Sequence, residues 1–96
     1  MAALLSDTEI DSALTDLPHW RRDGAALTRT IASATFPDAI TLVDRVAEAA
    51  ESMNHHPDMD IRWRKVTYSL STHAVGGITK SDLELARRID ELAASA

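Results

Sequence analysis

The chain of 96 residues contains no cysteine. That excludes a disulfide framework and any thiolate metal site, and it fits a reducing cytoplasm. Basic charge is also scarce: ten Lys and Arg stand against fifteen Asp and Glu, a formal charge of −5. Nucleic acid and anionic membrane both call for a basic footprint, so neither is expected as a direct partner. No apolar run approaches the roughly eighteen residues of a membrane span. The opening "MAALLSDTEIDSAL" has no basic segment and turns acidic at Asp7, unlike a secretory signal. No serine sits in a Gly-x-Ser-x-Gly elbow, so nucleophilic catalysis is not indicated.

A chain of this length is expected to form one domain over residues 1–96, burying roughly 60–65% of its unfolded surface. Ser6 and Glu9 fit a capping box, and Ile10, Ala13, Leu14 and Leu17 follow on one helical stripe. This predicts a helix over about 7–16, closed by Pro18. Asp23-Gly24 is a hairpin signal between a short strand near Trp20 and a strand in which Leu27, Arg29 and Ile31 share one parity. Thr35 caps the next helix, with Pro37 in its first turn. Its apolar stripe reads as Phe36, Ile40, Val43, Ala47 and Ala50, and it runs to about Met53. Period two returns from Asp60, predicting a short strand near 59–63, a bend at Arg64 and a strand over 65–73. Val66, Tyr68, Leu70 and Thr72 take its core face. Thr79 and Asp82 cap a last helix that carries Leu85, Ile89 and Leu92. The expected fold is α+β: an α-β-β-α-β-β-α order, with a four-stranded antiparallel sheet and three helices on one face.

Three of the four histidines draw attention. His55 and His56 follow the second helix, immediately before Pro57, and His73 ends the last strand. Sheet and helix ends placed side by side would bring all three imidazoles to one mouth. Exposed loop histidines are common, so the pair alone says little; the third imidazole makes the case. Metal ligation fits poorly, because neighbouring residues on an extended segment point in opposite directions. General acid–base chemistry fits better, since an imidazole both donates and accepts protons near neutral pH.

These residues carry a resemblance. Glu51, then His55-His56-Pro57, Trp63, His73 and Asp82 fall at the spacing of the pterin-4a-carbinolamine dehydratase signature. "LPHW", "DGAALTRTI", "VAEAAESMNHHPD" and "VTYSLSTH" also resemble family segments, and together they span about residues 8–93. The resemblance implies dehydration of 4a-hydroxytetrahydropterin to quinonoid dihydropterin, in recycling of the cofactor spent by aromatic amino-acid hydroxylases. It implies His55, His56 and His73 as catalytic imidazoles, and a pterin site lined by Asn54, Ser71, Thr72 and Ala74 with the histidines. It implies no metal or redox cofactor and a homodimer or homotetramer.

Several supporting positions have two readings. Asp82 is either a helix cap or part of the site; Glu51 either orients His55 or faces solvent. Trp63 is a core or wall aromatic, or a stacking platform for a flat ring. His19 reads as a surface residue. Met59 and Ala74 depart from the residues frequent in relatives, one an aromatic and the other acidic or polar. A competing reading is a non-catalytic dimerisation, regulatory or assembly-factor member of the same fold.

Overall fold

The computed structural model describes residues 3–95. The elements are α1 (Asp7–Leu14), β1 (Arg21–Asp23), β2 (Ala26–Ala32), α2 (Phe36–Met53), β3 (Asp58–Arg62), β4 (Lys65–Leu70) and α3 (Lys80–Ser95). A 3-10 turn, His73–Val75, lies between β4 and α3. The strands form one antiparallel sheet in the order β1-β2-β4-β3. This is the α+β architecture that the alternation of periods two and 3.6 predicts.

Local chemistry explains the boundaries. The capping box of α1 forms in full: Glu9 N–H donates to the Ser6 hydroxyl, and Ser6 N–H donates to the Glu9 carboxylate at 2.9 Å. The backbone N–H of Ser6 foremost, with its hydroxyl, holds the Glu9 carboxyl below its ordinary range. Thr35 caps α2 by accepting from Asp38 N–H at 3.1 Å. The first hairpin differs from expectation by one residue. Asp23 pairs with Ala26, so the loop is Gly24-Ala25. Gly24 has φ +59° and Ala25 does not have positive φ, the φ pattern of a type II′ turn with glycine at its first central position.

The core lies between one sheet face and the helices. Leu27, Val66, Tyr68 and Leu70 project from the sheet to meet Ile10, Leu42, Val46, Leu85 and Ile89, all at most 3% exposed. Burying each such side chain stabilises by about 1.5–3 kcal/mol. The parity read for β4 is observed at Val66, Tyr68 and Leu70. On the other parity, Thr30 and Thr67 stand opposite each other across β2 and β4, and their hydroxyls hydrogen-bond at 2.7 Å. The tail of α3 is tied to the first hairpin by Asp90, which accepts from Trp20 Nε1 at 2.7 Å and from Arg29.

The face of α2 is a correction. Its buried residues are Ala39, Leu42, Val46, Ala49 and Ala50, so only Ala50 of the expected stripe is buried. Phe36 is 46% exposed, Ile40 and Val43 are half-buried, and Ala47 is exposed. The helix carries apolar residues on two adjoining faces, and periodicity alone does not rank them. The face rich in alanine turns inward, where small side chains let the helix approach its neighbours closely.

Tyr68 is fully buried, and its hydroxyl has no hydrogen-bond partner among the described residues. Burial pushes the phenol up to about 12. Above the ordinary tyrosine value of about 10, the unfolded chain ionises while the folded chain must keep its proton. The stability tied to this group is therefore complete below pH 10 and is lost as pH rises towards 12. Tyr68→Phe is expected to raise stability at pH 7 by about 1 kcal/mol, because an unpartnered buried hydroxyl is removed. It should also flatten the alkaline decline, and urea midpoints at pH 7 and pH 10.5 measure both effects.

Candidate active site

The end of α2 is built to turn His55 out of the helix. Asn54 adopts the left-handed conformation, φ 50° and ψ 43°, and its N–H reaches the carbonyls of Ala50 and Glu51. His55 N–H donates to Ala50 O at 3.0 Å, the long bond of a Schellman helix stop. Asparagine tolerates this backbone better than most residues with a Cβ. Pro57 then biases His56 towards extended backbone, and β3 starts at Asp58.

The His55 ring meets a buried carboxylate. Its Nε2 lies 2.6 Å from Asp82 Oδ1, with the histidine side chain 14% exposed and that of Asp82 0%. Asp82 Oδ2 accepts from Thr79 N–H and from the Thr72 hydroxyl, each at 2.8 Å. Asp82 occupies the third position of α3, so it caps that helix and holds His55 at once. The two readings of this residue are not alternatives. Because a carboxylate only accepts, Nε2 must be the donor, and the neutral His55 ring then leaves Nδ1 as its free lone pair.

His73 sits at the other side of this network. The expected strand to residue 73 stops at Leu70: the last pairings are Leu27↔Leu70 with β2 and Asp58↔Ser69 with β3. Beyond them the Thr72 carbonyl accepts N–H groups from Val75, Gly76 and Gly77 and winds His73–Val75 into the 3-10 turn. His73 is the exposed first residue of that turn, next to Thr72. His55 and His73 are thus joined through Asp82 and Thr72.

The remaining candidates have diverse settings. His56 Nε2 is 2.8 Å from Glu51 Oε1, with both side chains mainly in solvent. Glu51 therefore contacts His56 and not His55, and exposed pairs of this kind contribute about 0–1 kcal/mol. The Ser71 hydroxyl donates to Ala25 O at 2.7 Å, and Ala74 is exposed in the 3-10 turn. Met59 is partly buried against the core. His19 is exposed, as its surface reading expects.

Trp63 lies in the β3–β4 turn, 70% exposed, with Arg64 5.0 Å from its ring centre. It is not a core residue. Five residues of β3 separate it from Pro57, a run of about 17 Å. Hollows of about 440 Å³ beside Leu42 and Arg45, and of about 510 Å³ beside Leu4 and Lys80, are lined by residues other than the three histidines.

Sequence reasoning missed the helix-stop role of Asn54 and the pairing of Asp82 with His55. Asparagine directly after a helical stripe and before a proline signals a left-handed helix stop. Thr79 and Asp82, three apart, carried the capping signal but not its second use, because nothing local announces a partner 27 residues away.

Three helices on a four-stranded antiparallel sheet, with a buried carboxylate holding His55, make this a small α+β protein. The chain belongs to the pterin 4 alpha carbinolamine dehydratase family, whose model matches residues 3–92. A protein of Nocardia farcinica, provisionally named pterin-4-alpha-carbinolamine dehydratase, is 62% identical over 90 residues, covering 94% of this chain and 95% of its own. The crystal structure of a transcriptional coactivator/pterin dehydratase from Brucella melitensis superposes with TM-score 0.91 at 29% identity, covering 95% of this chain and 99% of its own. A pterin dehydratase-like protein described as a RuBisCO assembly factor in the alpha-carboxysome shares the fold, with TM-score 0.67 at 24% identity, covering 80% of this chain and 92% of its own. Among the described residues no helix is long and apolar enough to cross a membrane.

Removing the buried carboxylate strands three donors at once. Asp82→Ala is expected to destabilise the protein by about 3 kcal/mol, read from urea unfolding.

Proposed function

We propose that the protein dehydrates 4a-hydroxytetrahydropterin to quinonoid dihydropterin and water, with His55, His56 and His73 as its acid and base groups. The observation that carries this reading is the His55–Asp82 pair, linked through Thr72 to the turn of His73. Family membership supports it. In the reaction the C4a–oxygen bond breaks and the oxygen leaves as water after taking a proton from an acid. A base removes the proton of a ring nitrogen, and the electrons of that N–H bond form the new C=N bond. No electron is gained or lost overall. His55 offers Nδ1 for one of these transfers, since its Nε2 is committed to Asp82. His73 and His56 are exposed to solvent, which supports a part in proton transfer to and from a substrate. Each positioned acid or base typically contributes about 10²–10⁴-fold.

Asn54, Ser71, Ala74 and, through its main chain, Thr72 flank these histidines in sequence and are read with them as the pterin-binding residues. The reaction needs no metal or redox cofactor. Its substrate would come from an aromatic amino-acid hydroxylase, and its setting would be the cytoplasm.

Purified protein mixed with freshly generated 4a-hydroxytetrahydropterin should speed the absorbance change of dehydration, and His73→Ala should lose about 100-fold or more. Wild-type turnover no faster than that of His73→Ala would overturn the reading. It would favour instead the non-catalytic role suggested by the coactivator and assembly-factor descriptions of the structural neighbours.

A homodimer or homotetramer is the proposed state. The outward stripe of α2, with Phe36 46% exposed beside half-buried Ile40 and Val43, supports it, as does the position of β3 at a sheet edge. Light scattering should give a mass of two or four chains, and Phe36→Asp should lower it; a monomeric wild type contradicts the proposal.

A further inference from the structure

The hydroxyl of Thr72 has its hydrogen-bond directions fixed by its neighbours. Asp82 Oδ2 accepts only, so the single Thr72 hydroxyl proton, 2.8 Å away, goes to that carboxylate. The Thr72 oxygen is also 2.8 Å from the Thr79 hydroxyl, which must then be the donor of that pair. Thr79 in turn accepts from Ser81 N–H at 3.3 Å. The result is a one-way chain: Ser81 N–H to Thr79, Thr79 to Thr72, Thr72 to Asp82, with His55 Nε2–H arriving at the same carboxylate from the other side. A backbone donor fixes one end and an acceptor-only group fixes the other, so no hydroxyl is free to reverse. Such chains polarise one another and hold their members in one orientation.

The backbone of Thr72 has a separate task. Its N–H donates to Gly77 O at 2.8 Å, and its carbonyl collects the N–H groups that wind the turn of His73. One residue therefore touches the setting of both imidazoles: through its side chain the ring angle of His55, and through its main chain the turn that presents His73.

We infer that Thr72 is a positioning residue, whose hydroxyl locks the Asp82 carboxylate and thereby the His55 ring, and that this hydroxyl is not a substrate ligand. Only the kinetic arm of its test rests on the dehydratase reading. Thr72→Ser and Thr72→Ala both lose the γ-methyl group and differ only in the hydroxyl, so comparing them isolates that group. Thr72→Ser, which keeps the hydroxyl, should have a kcat about tenfold or more above that of Thr72→Ala. Thr72→Ala should lose about tenfold or more in kcat with KM changed less than about twofold, the loss expected for one hydrogen bond to a charged group. A rise in KM alone would make the hydroxyl a substrate contact and overturn the inference.

The second arm needs no turnover. The His55 Nε2-bound proton, followed by long-range proton–nitrogen NMR, should be a slowly exchanging downfield signal in wild type and Thr72→Ser, and shifted or lost in Thr72→Ala. An unchanged His55 signal in Thr72→Ala would overturn the inference whatever the kinetics. If the wild type proves inactive, the dehydratase reading fails, and the imidazole signal still decides the role of Thr72. Should Thr72→Ala fail to fold, Thr79→Ser and Thr79→Ala provide the same comparison one link further along, with the same signs and smaller effects.

Discussion

A carboxylate with no exposed surface needs donors, and the fold around Asp82 is arranged to supply them. Isolated in a protein interior, an ionised carboxylate would cost several kcal/mol. Here its two oxygens receive an imidazole N–H, a threonine hydroxyl and a backbone N–H. The donors come from the segment after α2, the segment after β4 and the start of α3. Satisfying one buried charge thus ties three separate parts of the chain together, and two of those parts carry the histidines. Stability and the geometry of the site share a single cause.

That arrangement divides the histidines by environment. His55 is almost buried and committed at Nε2, whereas His56 and His73 lie at the surface, the former against an exposed Glu51. An ion pair in water orients a ring weakly, while a carboxylate in the interior orients it firmly. Three imidazoles close in sequence or topology are therefore not interchangeable. The one with least contact with solvent is the one whose tautomer the protein dictates.

Much of this was legible in the chain and some was not, for identifiable reasons. Alternation over Val66, Tyr68 and Leu70 gave the buried side of β4 directly, because strand side chains have no other choice of face. The capping pairs Ser6–Glu9 and Thr35–Asp38 are local, and local chemistry reads well. The face of α2 did not read correctly, since Val43 and Val46 are equally apolar and only tertiary packing chooses between them. The end of β4 differs from expectation because β3 begins only at Asp58, opposite Ser69, and the Thr72 carbonyl gathers the turn beyond, neither of which the strand's own alternation announces. The candidate histidines come from residue type and spacing, but the pairing of His55 with Asp82, and of Glu51 with His56, needs three dimensions.

The two tryptophans fall at opposite extremes of solvent contact: Trp20 is 4% exposed, with its indole N–H held by Asp90, and Trp63 is 70% exposed at a hairpin tip. Their fluorescence is consequently divided between two reporters. Denaturation changes the surroundings of Trp20 above all, since Trp63 already emits from water. Conversely, anything that comes to rest on the β3–β4 tip must shift the red-emitting component while leaving the blue one untouched. A single spectrum can therefore separate loss of the folded state from the arrival of a neighbour.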